Sequence, residues 1–117
     1  MKISEIKKLL FADVLCNPQG AATEVFSACG SDMMSDVLAY VKNQAVLLTG
    51  LINPQVIRTM EMMDMKCVVF VRNKKPTEAM LRLAEEAGIV VLTTDMRLFE
   101  ACGILYANGL GNTMCHE

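Results

Sequence analysis

Hydroxyl, carboxylate, amide and cationic side chains follow directly after four apolar segments of this chain, in a pattern suited to holding a small anion. The residues placed in this way are Ser31, Asp32, Thr49, Gly50, Asn53, Arg72, Lys74, Lys75, Thr94 and Asp95. Arg72 and Lys74 would supply positive charge, and the backbone N–H groups of helix N-termini favour phosphate or carboxylate. We therefore expect a small anion or a nucleotide to bind where these residues meet.

A purely structural reading of the same residues is open. Ser31, Asn53, Thr77 and Asp95 are of types that cap helices, and the basic residues would then only solvate the surface. Thr49-Gly50 resembles part of a phosphate loop, but neither GxxxxGK[ST] nor GxGxxG is present in the chain. The sequence therefore excludes a recognisable P-loop or dinucleotide fingerprint.

Catalytic and metal-binding patterns are weak. The single histidine, His116, is near the end of the chain, so a Ser-His-Asp or Cys-His arrangement lacks a placed base. Asp32 and Asp36 are four residues apart and could share a cation, but metal sites usually need further oxygen ligands, so we favour a solvated helix surface. We expect no catalytic residue, no metal ligand and no cofactor.

The five cysteines include no CxxC pair, which argues against a disulfide framework and a zinc site. Cys115-His116 alone would make a poor metal site. Cys29 lies beside a predicted helix N-terminus, where a thiolate is stabilised, and is therefore our candidate for a reactive thiol. The alternative is a reduced, buried thiol.

The elements that must position these residues form three similar units. The apolar runs 45–49, 67–71 and 89–93 show no alternation, which is typical of strands covered by helices on both faces. Earlier segments at Val14-Leu15 and 23–29 add two strands. The pattern predicts an α/β fold, a three-layer α/β/α sandwich with a mostly parallel sheet of about five strands. We predict one domain over residues 1–110 and a C-terminal tail over 111–117.

Helices are predicted after each of these three runs, over 53–65, 77–87 and 95–108. Asn53-Pro54, Thr77 and Asp95 provide the start signals. Gly88 suits the end of the second helix, since glycine readily adopts the left-handed conformation there. In the last helix we expect one face toward the sheet, formed by Leu98, Phe99, Cys102, Leu105 and Tyr106.

The composition of the chain argues against two kinds of partner, nucleic acid and membranes. A formal charge of −2 gives no overall attraction to nucleic acid. No apolar segment approaches the roughly 20 residues needed to cross a membrane, and the N-terminus does not resemble a secretory signal. We expect a cytoplasmic protein that binds neither nucleic acid nor membrane.

Ten methionines are unusual for a chain of 117 residues. Val56, Ile57, Met60 and Met63 share one helical face, which predicts core, whereas Met62 lies off it. Methionine adapts to irregular contacts, so the excess suggests a surface that faces a partner, such as a homodimer seam, with Met62 and Met65 exposed. A loosely specified core is the alternative.

The whole chain resembles the DRTGG domain family. The resemblance rests on the spacing of three segments together: Val46-Leu-Leu-Thr-Gly50, Cys67-Val-Val-Phe-Val71, and Lys75-Pro-Thr-Glu with the residues from Leu83 to Thr94. It implies a fold similar to the N-terminal domain of HPr kinase/phosphorylase and an accessory or regulatory role, usually with self-association. Stand-alone members accompany iron hydrogenase genes in anaerobic bacteria, which implies a link to redox metabolism.

The residues that give the family its name are replaced here. Ile52-Asn53 stands where we place the Asp-Arg pair, and Val71-Arg72-Asn73 where we place Thr-Gly-Gly. The resemblance therefore implies the fold and the accessory role but no particular binding residue.

Three functional expectations follow. The first is a non-catalytic regulatory domain, homodimeric, that senses a small anion or nucleotide at the C-terminal edge of the sheet. The second is a protein-interaction module that serves a redox enzyme such as an iron hydrogenase through the methionine-rich surface. The third, with least support, is a redox sensor or iron–sulfur assembly factor that uses Cys29 or Cys115.

Overall fold

The computed structural model describes residues 1–40 and 45–110. The predicted tail over 111–117, with Cys115 and His116, lies outside the described residues. Within them the chain forms an α/β domain with a five-stranded sheet, as the sequence predicts.

The sheet is parallel except at one edge. Its strands, in chain order, are β1 (Asp13–Cys16), β2 (Ser27–Gly30), β3 (Ala45–Thr49), β4 (Cys67–Phe70) and β5 (Val90–Thr93). Their spatial order is β1-β5-β4-β3-β2, and only β1 runs antiparallel to its neighbour. The second strand begins four residues later than Thr23, where the alternation begins, because only Ser27–Gly30 pair with β3.

Burial along the strands follows their position in the sheet. Every residue of β3, β4 and β5 is buried, whereas β1 and β2 alternate between more and less exposed residues. Central strands are covered on both faces, so their apolar runs need no alternation. This confirms the three-layer sandwich.

Two helices cover one face of the sheet and three cover the other. The helices are α1 (Ile3–Leu9), α2 (Met34–Tyr40), α3 (Pro54–Met62), α4 (Glu78–Ala87) and α5 (Leu98–Ala107). A core under α1 and α5 includes Ile6, Leu48 and Leu105, and a separate core under α2 to α4 includes Met60 and Phe70. No helix in the described part of the chain is both long and apolar enough to span a membrane.

Two of the predicted helix caps are confirmed. The Asn53 side chain accepts a hydrogen bond from the Gln55 N–H at 2.8 Å, and Thr77 accepts from the Met80 N–H at 3.2 Å. Gly88 ends α4 with φ 73°, in the left-handed region.

The last helix differs from its prediction. It begins at Leu98 with Arg97 at the N-cap, so Asp95 does not cap it. Phe99 and Tyr106 are 91 % and 59 % exposed, so the prediction that they face the sheet was wrong. Helix α5 is mostly apolar, with Glu100 as its one charged residue, so the sequence gives only a weak signal for which face packs inward, and small Ala101 is buried there instead.

The prediction that Met62 and Met65 are both exposed is confirmed for Met62 and wrong for Met65. Met62 is 71 % exposed, as expected, but Met65 is buried at 2 %. Helix α3 ends at Met62, so Met65 lies in the connection to β4, where it packs into the core under α2 to α4.

Candidate functional site

The carboxyl ends of β2 and β3 place Asp32 against the turn that follows β3. Asp32 Oδ1 accepts hydrogen bonds from the Thr49 hydroxyl at 2.9 Å and from the Gly50 N–H at 2.8 Å. The Thr49 hydroxyl in turn accepts from the Leu51 N–H at 3.1 Å. These bonds fix one oxygen of an exposed carboxylate at the sheet edge.

The environment of Asp32 favours its charged form. The hydrogen bond from the Gly50 N–H lowers its pKa most, and the Thr49 hydroxyl and the nearby Arg72 charge lower it further, against a smaller rise from burial. Both hydrogen bonds from the described residues fall on Oδ1. Oδ2 is therefore an available acceptor.

The loop after β4 holds Arg72 in a strained conformation. Arg72 and Asn73 both have left-handed backbones, with φ 57° and 56°. Their N–H groups donate to the carbonyls of Met96 and Thr94 at 2.7 and 2.8 Å. The loop after β5 therefore anchors a backbone conformation that a residue such as arginine rarely adopts.

The Arg72 guanidinium lies against the backbone of Gly50. A Cβ atom at Gly50 would collide with Nη2 and lie only 3.1 Å from Cζ. Glycine at position 50 thus allows the close approach of this guanidinium, which a larger residue would displace. The result is a cationic group beside the Asp32–Gly50 turn, and the term Asp32–Arg72 edge is used below for Asp32, Thr49, Gly50 and Arg72.

Three of the residues predicted to bind a ligand instead make hydrogen bonds within the protein. The Ser31 hydroxyl accepts from the Met33 N–H at 2.9 Å, which is a local turn before α2. Asn53 caps α3. Thr94 is buried, and its hydroxyl donates to the Leu10 carbonyl at 2.7 Å, which ties α1 to the sheet.

The remaining predicted residues are exposed around this edge. Lys74 and Asp95 both extend from loops at the same end of the sheet, after β4 and β5. The Lys75 ammonium donates to the Asn73 side-chain oxygen at 2.9 Å. The structure thus brings Asp32, Thr49, Gly50 and Arg72 together, while Lys74 and Asp95 lie further along the loops.

Comparison with known proteins shows a likeness to a solved structure. No family model matches the chain, and no curated protein matches it. Among solved structures the chain is similar to the CBS and DRTGG domains of the regulatory region of a pyrophosphatase from Clostridium perfringens, crystallised with its activator diadenosine tetraphosphate. The TM-score is 0.73 at 14 % sequence identity, and the match covers 89 % of this chain and 45 % of that one.

This chain has a DRTGG-like fold. The chain spans less than half the length of that neighbour. At 14 % identity the likeness concerns the arrangement of helices and strands. It confirms the resemblance that the spacing of the three segments indicates.

Sequence reasoning missed two residues near this edge of the DRTGG-like domain. Asn73 adopts a left-handed backbone, which asparagine tolerates well, and its residue type after Arg72 was the available signal. Phe99 in the first turn of α5 is exposed rather than buried. The sequence gives only a weak signal for its exposure, because α5 is mostly apolar and Glu100 is its one charged residue.

The cysteine environments do not favour an activated thiol. Burial raises the pKa of Cys29, and the negative charge of Asp36 raises it further, the opposite of the thiolate stabilisation that its position before α2 suggests. Burial also raises the pKa of Cys16, Cys67 and Cys102. Among residues 1–40 and 45–110, no group of three or more His, Cys, Asp and Glu is placed to hold a metal ion.

Proposed function

We propose that this DRTGG-like domain is a non-catalytic regulatory domain that binds a small anionic ligand at the Asp32–Arg72 edge. This proposal rests mainly on the Arg72 guanidinium, which is held against Gly50 by a loop with two consecutive left-handed residues. The neighbouring pyrophosphatase region is regulatory and binds a phosphorylated activator, which supports this role.

The free-energy cost of a left-handed backbone at Arg72 supports a functional reason for an arginine at this position. A left-handed backbone costs a non-glycine residue about 1–2 kcal/mol. Within the described residues, no hydrogen bond or ion pair of the guanidinium offsets that cost. The backbone hydrogen bonds to Met96 and Thr94 hold this turn whatever the side chain, so the fold explains the left-handed backbone but not the choice of arginine over glycine. Strained residues of this kind cluster at ligand-binding positions.

The geometry favours an anion over other ligands. The guanidinium offers several N–H donors in a planar fork that suits phosphate or carboxylate. Asp32 would repel an anion, but two hydrogen bonds fix its Oδ1 within the Thr49–Gly50 turn. A ligand with one anionic group and a neighbouring donor would therefore satisfy both residues.

The test is a thermal-shift screen against inorganic phosphate, pyrophosphate, sugar phosphates, nucleotides and small carboxylates. A ligand at 100 times its Kd stabilises the folded state by about 2.7 kcal/mol, which gives a shift of several degrees. Arg72→Ala should remove the shift. Arg82→Ala is the matched control, because Arg82 is also exposed but lies in the middle of α4.

No stabilisation of the wild-type protein by any compound would refute ligand binding. An unchanged shift in Arg72→Ala would show that the ligand binds elsewhere. Loss of the shift in both arginine variants would indicate a non-specific effect of charge.

We also propose that the domain forms a homodimer through the outer surface of α2 and α3. Met62 is 71 % exposed on α3, and Leu38 is 43 % exposed on α2, which packs beside α3. Exposed large apolar side chains on neighbouring helices are typical of a protein contact. Light scattering after size-exclusion chromatography should show a dimer that Met62→Lys dissociates and Ala107→Lys, at an exposed position of α5 on the opposite face of the sheet, does not. A wild-type monomer would refute the dimer.

A further inference from the structure

Phe99 is the most exposed large apolar side chain among the described residues, at 91 %. It lies in the first turn of α5, which follows the loop that Arg72 contacts. The Arg72 N–H donates to the carbonyl of Met96, three residues before Phe99, at 2.7 Å. An aromatic ring and a cation therefore lie on connected turns at the same end of the sheet.

A second contact places the first turn of α5 beside Gly30, at the end of β2. Leu98 Cδ1 lies 3.5 Å from the position that a Cβ on Gly30 would occupy. Gly30 ends β2, two residues before Asp32, and the Ser31 N–H donates to the Leu48 carbonyl at 3.0 Å. The start of α5 thus borders the Asp32–Arg72 edge on the side of β2.

Asp32 adds a third kind of group. With Oδ1 occupied by Thr49 and Gly50, Oδ2 can accept a hydrogen bond from a ligand hydroxyl. A cation, a carboxylate oxygen and an aromatic face together match the three parts of a nucleotide: phosphate, ribose and base. A bare phosphate or a small carboxylate would use only the first.

We infer that the ligand of this edge is a ribonucleotide whose phosphate contacts Arg72, whose ribose donates a hydroxyl to Asp32, and whose base stacks on Phe99. This inference rests on the proposed function, because it specifies the ligand of the same site. Stacking on an aromatic side chain tolerates any base, so the class is a ribonucleotide rather than one particular base.

The test is isothermal titration of the full chain with adenosine 5′-monophosphate, uridine 5′-monophosphate and ribose 5-phosphate. We expect both mononucleotides to bind about tenfold more tightly than ribose 5-phosphate, which lacks a base. Phe99→Ala should reduce mononucleotide affinity about tenfold, to that of ribose 5-phosphate, and leave ribose 5-phosphate unchanged. Tyr106→Ala is the matched control, since Tyr106 is another exposed aromatic residue on α5.

A mononucleotide preference that persists in Phe99→Ala would overturn the inference. So would equal affinity for mononucleotides and ribose 5-phosphate in the wild-type protein. Either result would leave the proposed function intact if binding still requires Arg72. No binding of any of the three compounds would overturn the inference, and only the failure of the wider thermal-shift screen would contradict the proposed function as well.

The contact with Asp32 has its own test. A 2′,3′-dideoxy mononucleotide lacks the ribose hydroxyls, so we expect it to bind several-fold more weakly than the matching ribonucleotide. Equal affinity of the two compounds would overturn the role assigned to Asp32.

Discussion

Two regions at the surface of the sheet place a residue in the same unusual conformation but use it differently. Arg72 at the C-terminal edge has φ 57°, and Asn17, after β1, has φ 55°. Asn17 borders a groove of about 390 Å³ between β1 and α4, which is also lined by Leu15, Leu81 and Glu85. The groove is large enough to be considered as a ligand site.

The side-chain contacts separate the two regions. The Asn17 amide donates to the carbonyls of Ala84 and Ile89 at 3.0 and 2.8 Å, so its strained backbone serves to join the end of α4 to the loop after β1. No described residue accepts a hydrogen bond from the Arg72 guanidinium. The left-handed backbone at Asn17 places a side chain that bonds within the fold, whereas that at Arg72 places a guanidinium that makes no hydrogen bond to a described residue.

The largest expected effect on stability comes from replacing Asn17, whose side chain supports the fold. Asn17→Ala leaves the Ile89 carbonyl without its side-chain donor and places alanine in a left-handed backbone. We expect a loss of about 2–3 kcal/mol in the free energy of unfolding. Chemical denaturation measures it, and Gln19→Ala, which removes only an exposed donor to Asn17, is the control. A loss no larger than that of the control would contradict a structural role.

Thr94→Val tests a residue that the sequence assigns to the ligand and the structure assigns to the scaffold. Its buried hydroxyl donates to the Leu10 carbonyl, so we expect a loss of about 1–2 kcal/mol. Ligand affinity should be unchanged in titrations at a temperature where the variant is fully folded. Intact stability with lost affinity would reverse the assignment.

Arg72→Gly should change the free energy of unfolding in the opposite direction. Glycine removes the left-handed strain at a smaller cost in backbone entropy, so stability should be unchanged or rise by up to about 1 kcal/mol. Arg82→Gly, inside α4, should instead lose about 1 kcal/mol. Thermal or chemical denaturation of both variants compares them directly. Destabilisation by Arg72→Gly would show that the fold itself needs the arginine side chain.

The smallest effect is the pH dependence from Asp32. Its pKa is lowered in the folded state, so its contribution to stability is present above the unfolded pKa of about 3.9 and is lost as the pH falls through the folded value. Asp32→Asn should therefore be less stable than the wild-type protein at pH 6, and the difference should shrink below about pH 4. A difference that stays constant with pH would contradict the charge-dependent role of Asp32.

The fold could be predicted where the sequence signals are local. The apolar runs of β3, β4 and β5, the Asn53 and Thr77 caps and Gly88 all depend on neighbouring residues, and all are confirmed. Helix α5 could not be predicted as well. Its orientation is set by contacts with β2 and β3, which are distant in sequence, and its own apolar residues surround the helix.

The binding edge was predictable in outline only. Parallel strands must bring their carboxyl ends together, so the neighbourhood of Asp32, Thr49 and Gly50 follows from the fold class. Which side chains the fold would occupy depends on tertiary hydrogen bonds, such as that from Thr94 to Leu10, which no spacing encodes. The position of Arg72 against Gly50 depends on the left-handed turn and on the anchor at Met96.

The most direct test of ligand binding at the Asp32–Arg72 edge is a two-dimensional NMR titration of the full chain with adenosine 5′-monophosphate. We predict that the amide signals of Gly50, Leu51 and Arg72 shift in a saturable manner, that those of Asn17 and Glu85 in the groove do not, and that Arg72→Gly removes the shifts while remaining folded. Saturable shifts centred on the groove, or the same shifts at the edge in Arg72→Gly, would contradict the account.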